Sequence, residues 1–294
     1  MIPLMNIIAW GNVAPWAEQR QIEQDLIVSR AIVDLFSDAL LKEELRIRGG
    51  TALNKLHFPE PVRYSEDIDL VRTTGGPIGP ILRRIREVLE PWLGEAVFTQ
   101  SPVAPKLTYR ADAEDGGPPL RLKIEINTRE RSTYDRPRDF TLAVENPWFS
   151  GQVESPSFSN EEMLATKLRA LLQRDKGRDL FDLSHALTVF TDLDTQRVVA
   201  MFLRYLQAQE QQLSRAQAEA RMFAKLANPR FLADIRPLLP ADLAEKLTEE
   251  TMKTAFADVF TRIVCKLPGK PWARNDEMVE RFAIDLVSSG EDEG

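Results

Sequence analysis

Cysteine is nearly missing from this 294-residue chain: Cys265 is the single example. One thiol cannot close an internal disulfide, so packing and hydrogen bonds must hold the fold, and a reducing compartment suits it. Histidine is almost as scarce. His57 and His185 are the only two, and neither lies near a serine-nucleophile motif or at zinc-type spacing, which removes triad hydrolases and zinc centres. Both read as helix-surface or core residues. No apolar run is long enough to span a bilayer. Residues 1–10 are apolar, but the first basic residue is Arg20, so the charged start of a signal peptide is absent. A cytoplasmic chain without a membrane partner is expected. There is no Gly-x-x-x-x-Gly-Lys loop, and no Gly-x-Gly-x-x-Gly follows a strand pattern, so P-loop and dinucleotide folds are unsupported. A positive charge excess is missing too. The net charge of −7 argues against non-specific coating of nucleic acid, although a local basic patch can still attract it.

What is present is a dense stretch at residues 48–70. It opens with Gly49-Gly50-Thr51 and ends in Asp67-Ile68-Asp69-Leu70. A glycine pair lets backbone amides approach a phosphate closely, above all where a helix begins. Side chains alternate along a strand, so Asp67 and Asp69 share one face while Ile68 and Leu70 take the other. Paired carboxylates of this kind suit the Mg²⁺ that accompanies nucleotide phosphates.

Around that stretch, residues 16–41 carry apolar side chains at helical spacing. Strands are expected at 45–47, 67–71, 96–100, 106–110, 120–127 and 140–144, with helices at 51–57 and 81–93 and a charged loop at 129–139. In 120–127, Leu120, Leu122, Ile124 and Ile126 fall on one face, and Arg121, Lys123, Glu125 and Asn127 on the other. After Pro156 the pattern turns helical, at about 159–174, 178–189, 195–209, 214–226 and 241–266. Ser159 with Glu162 and Ser214 with Gln217 read as capping boxes, and Asn228-Pro229 as a cap followed by a first-turn proline. Residues 288–294 read as a frayed acidic tail. The expectation is an α+β fold, with residues 1–155 as a mixed-sheet domain and 156–294 as an α-helical one.

Glu125, on a polar strand face beside Lys123, is the candidate third carboxylate. Phosphoryl and nucleotidyl transfer need charge neutralised on the transferring phosphate and a carboxylate to hold metal or take the attacking hydroxyl's proton. Arg63 and Ser65, in the loop before Asp67, join Gly49, Gly50, Thr51 and Lys123 as nucleotide-binding candidates. Lys167 and Asp179 have the residue types to reach a triphosphate and to orient it, although Arg178 with Asp182 also fits an ordinary i,i+4 pair. Arg129, Arg131, Arg136 and Arg138, interleaved with Tyr134 and Phe140, could contact RNA or form a solvated loop.

In order, Gly49-Gly50-Thr51-Ala52-Leu53, Arg63-x-Ser65-x-Asp67-Ile68-Asp69-Leu70, Lys123-x-Glu125-Ile126, Lys167 and Arg178-Asp179-Leu180-x-Asp182-Leu183 resemble the AbiEii family of nucleotidyltransferase toxins. That family includes the MenT-like toxins and belongs to the DNA polymerase β-type superfamily. The resemblance covers roughly residues 21–183. It implies a helical domain completing an active-site cleft, and transfer of a nucleotide from NTP with Mg²⁺ or Mn²⁺. It implies an RNA acceptor, for several members the tRNA 3′ end, whose modification blocks aminoacylation. It also implies growth inhibition within a toxin–antitoxin pair, often tied to phage defence, with a separately encoded antitoxin. By position it makes Asp67 and Asp69 metal ligands, Gly50 and Thr51 phosphate holders, Lys167 a nucleotide contact and Asp179 a further catalytic acid. Ser65, beside the carboxylates, becomes a candidate for inhibitory modification. The same carboxylates would serve a metal-dependent phosphodiesterase or nuclease, or a nucleotide-sensing regulator with a degenerate site, and the acidic charge leaves a protein acceptor open.

Overall fold

Strands whose apolar residues alternate build one seven-stranded sheet, in the order β3-β4-β5-β2-β1-β7-β6. The computed structural model describes residues 1–100 and 104–286; the expected acidic tail at 288–294 lies outside them. In chain order the first elements are α1 (Leu4–Trp10), α2 (Gln19–Ser37), α3 (Ala39–Glu44), β1 (Leu45–Arg48) and α4 (Gly49–Ala52), which passes into a π-helical turn, Leu53–His57. Then come β2 (Asp67–Arg72), α5 (Gly79–Leu93), β3 (Val97–Gln100), β4 (Pro105–Ala111), β5 (Leu120–Asn127), β6 (Arg138–Asn146) and β7 (Phe149–Ser157). β2 runs parallel to β5, and β1 parallel to β7; the remaining neighbours are antiparallel. Ile47, Ile68, Leu70, Leu107, Ile124 and Ile126 are all buried. Alternation therefore gives the sheet one dry face and leaves the polar residues of the same strands on the other.

The expected helix at 16–41 is two helices. Asp38 turns extended after α2, and its side chain accepts from the Leu41 amide to cap α3, a local bond that competes with continuing the helix. β7 is not foreshadowed by composition, since Phe149–Ser157 holds glycine, proline, glutamate and three serines. It forms through pairing: β6 binds it at nine successive positions.

Asp25, on α2, fixes the segment after the glycine turn. Its carboxylate accepts from the indoles of Trp10 (2.9 Å) and Trp16 (3.0 Å) and from Lys55 Nζ (2.8 Å) on the π-helical turn. π turns within helices frequently occur at functional sites.

The chain divides into two compact units, one of residues Met1–Ser159 with Leu238–Ala241, the other of Asn160–Pro237 and the chain from Asp242 onward. The second unit holds α6 (Asn160–Gln173), α7 (Gly177–Val189), α8 (Thr195–Gln207), α9 (Arg215–Leu226), α10 (Pro229–Ala233), most of α11 (Ala241–Lys246), α12 (Glu249–Arg262) and α13 (Asn275–Phe282). The Ser214–Gln217 box and the Asn228 cap with Pro229 form as expected. The expected helix at 241–266 is broken, because Thr248 caps α12 in a box with Thr251. Phe223 gathers Phe256, Phe260, Trp272 and Phe282 at centroid distances of 5.2–6.2 Å, forming this unit's aromatic core. Among the described residues, no helix is long and apolar enough to cross a membrane.

Candidate active site

Strand register places four charged residues in one row across the polar face. Arg48 on β1 stands opposite Asp69 on β2, Asp69 opposite Glu125 on β5, and Glu125 opposite Lys106 on β4. In the next row Asp67 faces Lys123, which faces Thr108. The sheet thus brings Asp67, Asp69, Glu125 and Lys123 together, with Asp67 and Asp69 on one side of β2 as alternation requires.

The charges are crowded. Lys123 Nζ lies 2.7 Å from Asp67 Oδ2, Lys106 Nζ 2.9 Å from Glu125 Oε2, and Arg48 Nη1 2.9 Å from Glu130 Oε2. Burial pushes the Asp69 carboxyl above the ordinary aspartate range; Arg48 opposes this, Asp67 and Glu125 add to it, and Lys123 opposes it again. Burial works against the Lys123 ammonium, but its bond to Asp67 and the charges of Asp67, Asp69 and Glu125 outweigh that and raise its pKa. Three carboxylates held side by side favour any cation that comes among them.

The glycine turn follows β1 directly. Gly49 has φ +83°, and a Cβ there would lie 2.4 Å from Asp69 Oδ2. A Cβ on Gly50 would lie 2.4 Å from an Arg63 guanidinium nitrogen and 3.2 Å from Ser65 Oγ. Thr51 Oγ1 donates to the Asp67 carbonyl at 2.5 Å and lies 2.8 Å from Ser65 Oγ. The Asn54 side chain ties this turn to the loop, donating to the Gly50 carbonyl (3.0 Å) and accepting from the Val62 and Arg63 amides (3.1 Å each). Arg63 is buried, with Nη1 donating to the Tyr64 carbonyl at 2.9 Å. Its place is beneath the turn.

Only glycine fits at position 49, on both backbone and contact grounds. Gly49→Ala costs about 1–2 kcal/mol for the left-handed backbone. It also displaces Asp69, and misplacing a reacting group by about 1 Å can cost roughly 10²-fold in rate. Thermal melts and nucleotide-transfer assays of this variant should show both losses; full activity would separate the turn from the chemistry.

Asp67 and Asp69 offer the hard oxygen donors that Mg²⁺ or Mn²⁺ takes. Among the described residues, no group of three or more His, Cys, Asp or Glu side chains is arranged to enclose an ion. Mg²⁺ carried by a nucleotide takes one or two protein carboxylates and fills its remaining positions with phosphate oxygens and water.

Lys167 and Asp179 belong to a buried ion cluster of the helical unit. Lys167 Nζ lies 3.2 Å from Asp179 Oδ1 and 2.6 Å from Asp182 Oδ2, with side-chain exposures of 6%, 0% and 0%. Arg174 grips Asp179 through both oxygens at 2.7 and 2.8 Å. Although burial opposes ionisation, Lys167 and Arg174 hold the Asp179 carboxyl below its ordinary range. Asp182 therefore turns inward to Lys167, and the surface pair with Arg178 suggested by i,i+4 spacing is replaced. His57 is a core histidine, with Nε2 2.9 Å from Ser157 Oγ; His185 stacks on Phe181.

Residue type and spacing do not single out Arg48 and Lys106, nor show that Arg174, in the basic run after Lys167, binds Asp179. Arg48 and Lys106 could have been found by extending the alternation of β1 and β4 into the row of Asp69 and Glu125. Arg174 gave no such signal, because it reaches Asp179 across a helix junction. The basic cluster at 129–138 is divided: Arg129, Arg131 and Arg136 are exposed in the loop, while Arg138 begins β6.

A mixed sheet with paired strand carboxylates beside a glycine turn at a helix start has the construction of a nucleotidyltransferase. The chain belongs to the AbiEii nucleotidyltransferase toxin family of type IV toxin–antitoxin systems, whose family model matches residues 30–262. The fold is similar to that of MenT4, a nucleotidyltransferase toxin from Mycobacterium tuberculosis H37Rv, with a TM-score of 0.52 at 15% identity, covering 97% of this chain and 99% of that one. JHP933 from Helicobacter pylori matches with a TM-score of 0.48 at 16% identity, covering 83% of this chain and 94% of that one. Curated protein sequences yield no significant match. The α+β class and the family resemblance read from the motifs both hold.

Proposed function

We propose that this protein transfers a nucleotide from NTP to an RNA acceptor, the 3′ end of tRNA, and that this arrests growth until a cognate antitoxin counters it. The register of Asp67, Asp69 and Glu125 beside the Gly49–Thr51 turn carries the reading. Gly50 and Thr51 would receive the triphosphate at the start of α4, where backbone amides are unpaired. Asp67 and Asp69 would hold Mg²⁺, which neutralises phosphate charge and favours ionisation of the acceptor hydroxyl. The acceptor 3′-oxygen bonds to the α-phosphorus as the bond to the bridging oxygen breaks, releasing pyrophosphate. Glu125, opposite Asp69 in the register, takes the hydroxyl proton. Lys123, already bonded to Asp67, offers positive charge to the phosphates, and Arg63 and Ser65 shape the turn that meets them. No step is given to Lys167 and Asp179, which are held in the helical unit's buried ion cluster. Ser65 lies 2.8 Å from Thr51 Oγ1, so a group added there would disturb the turn; a mass spectrum of antitoxin-treated, inactivated protein with Ser65 unmodified would rule this out.

Incubation with each α-labelled NTP and total tRNA tests the function. Label should pass to tRNA from a preferred NTP and only with a divalent ion. Shortened RNA would identify a nuclease instead, label on protein a different acceptor, and NTP binding without turnover a sensor.

A further inference from the structure

On the polar face of β4 and β5, Arg110 stands directly opposite Arg121. Such cross-strand partners have Cβ atoms about 4.5–5.5 Å apart, and like charges there destabilise a sheet. Both side chains are exposed. Neither guanidinium has a hydrogen-bond or ion-pair partner among the described residues; the neighbouring Lys106 and Lys123 are each paired, with Glu125 and Asp67. Gln24 reaches Arg121 only through its carbonyl. An anion placed between these two opposed cations would relieve their repulsion.

Their place identifies which anion. Arg110 and Arg121 share a face with Thr108, Lys123, Lys106 and Glu125. At about 3.3 Å per residue, the arginine row lies roughly 7 Å from the Lys123 row and roughly 13 Å from the Glu125 row. In the sheet, β2 lies between β5 and β1, and the glycine turn leaves from the end of β1. Asp67 and Asp69 on β2 are thus flanked by the glycine turn on one side and the arginine pair on the other. A triphosphate resting on the turn does not need the arginines; a second phosphate-bearing substrate meeting the carboxylates from the opposite flank does.

We infer that Arg110 and Arg121 form a subsite for the phosphodiester backbone of the acceptor RNA, a few nucleotides from its reacting 3′ end. This rests on the reading that the acceptor is RNA. Guanidinium groups suit phosphate oxygens because they donate two parallel hydrogen bonds, and contacts of this kind position a nucleic acid without reading its bases.

The test is the double variant Arg110→Gln/Arg121→Gln, with deacylated total tRNA as probe. The KM for tRNA should rise at least tenfold, while the KM for NTP and the thermal midpoint stay the same or the midpoint rises as the repulsion disappears. Losing two phosphate contacts should lower the slope of log affinity against log salt by about 1.5–2, measured by fluorescence anisotropy of labelled tRNA without NTP. An unchanged tRNA KM and salt slope overturns the inference, as does a rise confined to the NTP KM, which would place the triphosphate there. If wild-type protein transfers nothing to RNA, the function reading fails by itself. Anisotropy then decides the subsite: tRNA binding lost in the double variant supports it, and equal or absent binding overturns it. Retained tRNA transfer with weakened binding of an acidic protein would give the pair to a protein partner instead and also overturns it.

Discussion

Asp69→Asn should reduce nucleotide transfer by at least about 10³-fold and leave the protein folded. Metal charge stabilisation is worth several kcal/mol in a transition state, and about 1.4 kcal/mol is a factor of ten in rate. Asn keeps the shape of Asp69 and its contact with Gly49 but loses the charge. Stability should hold or improve, because Asp69 sits half-buried beside Asp67 and Glu125, both of which disfavour its ionised form. Asp67→Ala should likewise abolish transfer and growth inhibition, and it frees Lys123 from its 2.7 Å bond. A circular dichroism melt beside the transfer assay distinguishes lost chemistry from lost fold. Undiminished toxicity in either variant would refute the metal-clamp argument.

Lys167→Met should destabilise the protein by about 3–5 kcal/mol, the usual cost of removing one partner from a buried ion pair. The ammonium is shared by Asp179 and Asp182, both fully buried. Methionine replaces the stem but leaves both carboxylates without that charge. The double variant Lys167→Met/Asp182→Asn should cost less than the sum of the single changes, since the two positions share one interaction. Urea unfolding midpoints supply the comparison. The pH dependence has a defined sign. Asp179 titrates below its ordinary range in the folded protein, so its contribution is present at neutral pH and is lost as pH falls through and below about 3.9. Asp179→Asn should flatten that acid limb. A Lys167→Met protein as stable as wild type would mean that the cluster is not the structural tie its burial indicates.

Much of the sheet was legible because its strands are half-buried. Leu120 to Asn127 alternates strictly, so its polar face follows from the period of two. Ile68 and Leu70 identify the dry side of β2 in the same way and so place Asp67 and Asp69. β7 was not legible, since its residues favour turns and it exists only through pairing with β6. The breaks at Asp38 and Thr248 rest on single side-chain bonds to backbone amides, which apolar periodicity does not register. In the site, Asp67, Asp69 and Glu125 came from alternation within strands. Their juxtaposition needed the parallel pairing of β2 with β5, which is a long-range contact. Lys167 and Asp179 could be singled out by type and spacing, but their bond to each other, with Asp182 and Arg174, depends on how α6 packs against α7. The Arg110–Arg121 pair is invisible without the register of β4 on β5, for neither arginine stands out in the sequence.

The most direct test of nucleotidyl transfer is the intact mass of a defined tRNA after incubation with the protein, NTP and Mg²⁺. Wild-type protein should add one or more whole nucleotide residues at the 3′ end, and Asp69→Asn none. An unchanged or reduced tRNA mass with wild-type protein, across all four NTPs, would contradict nucleotidyl transfer.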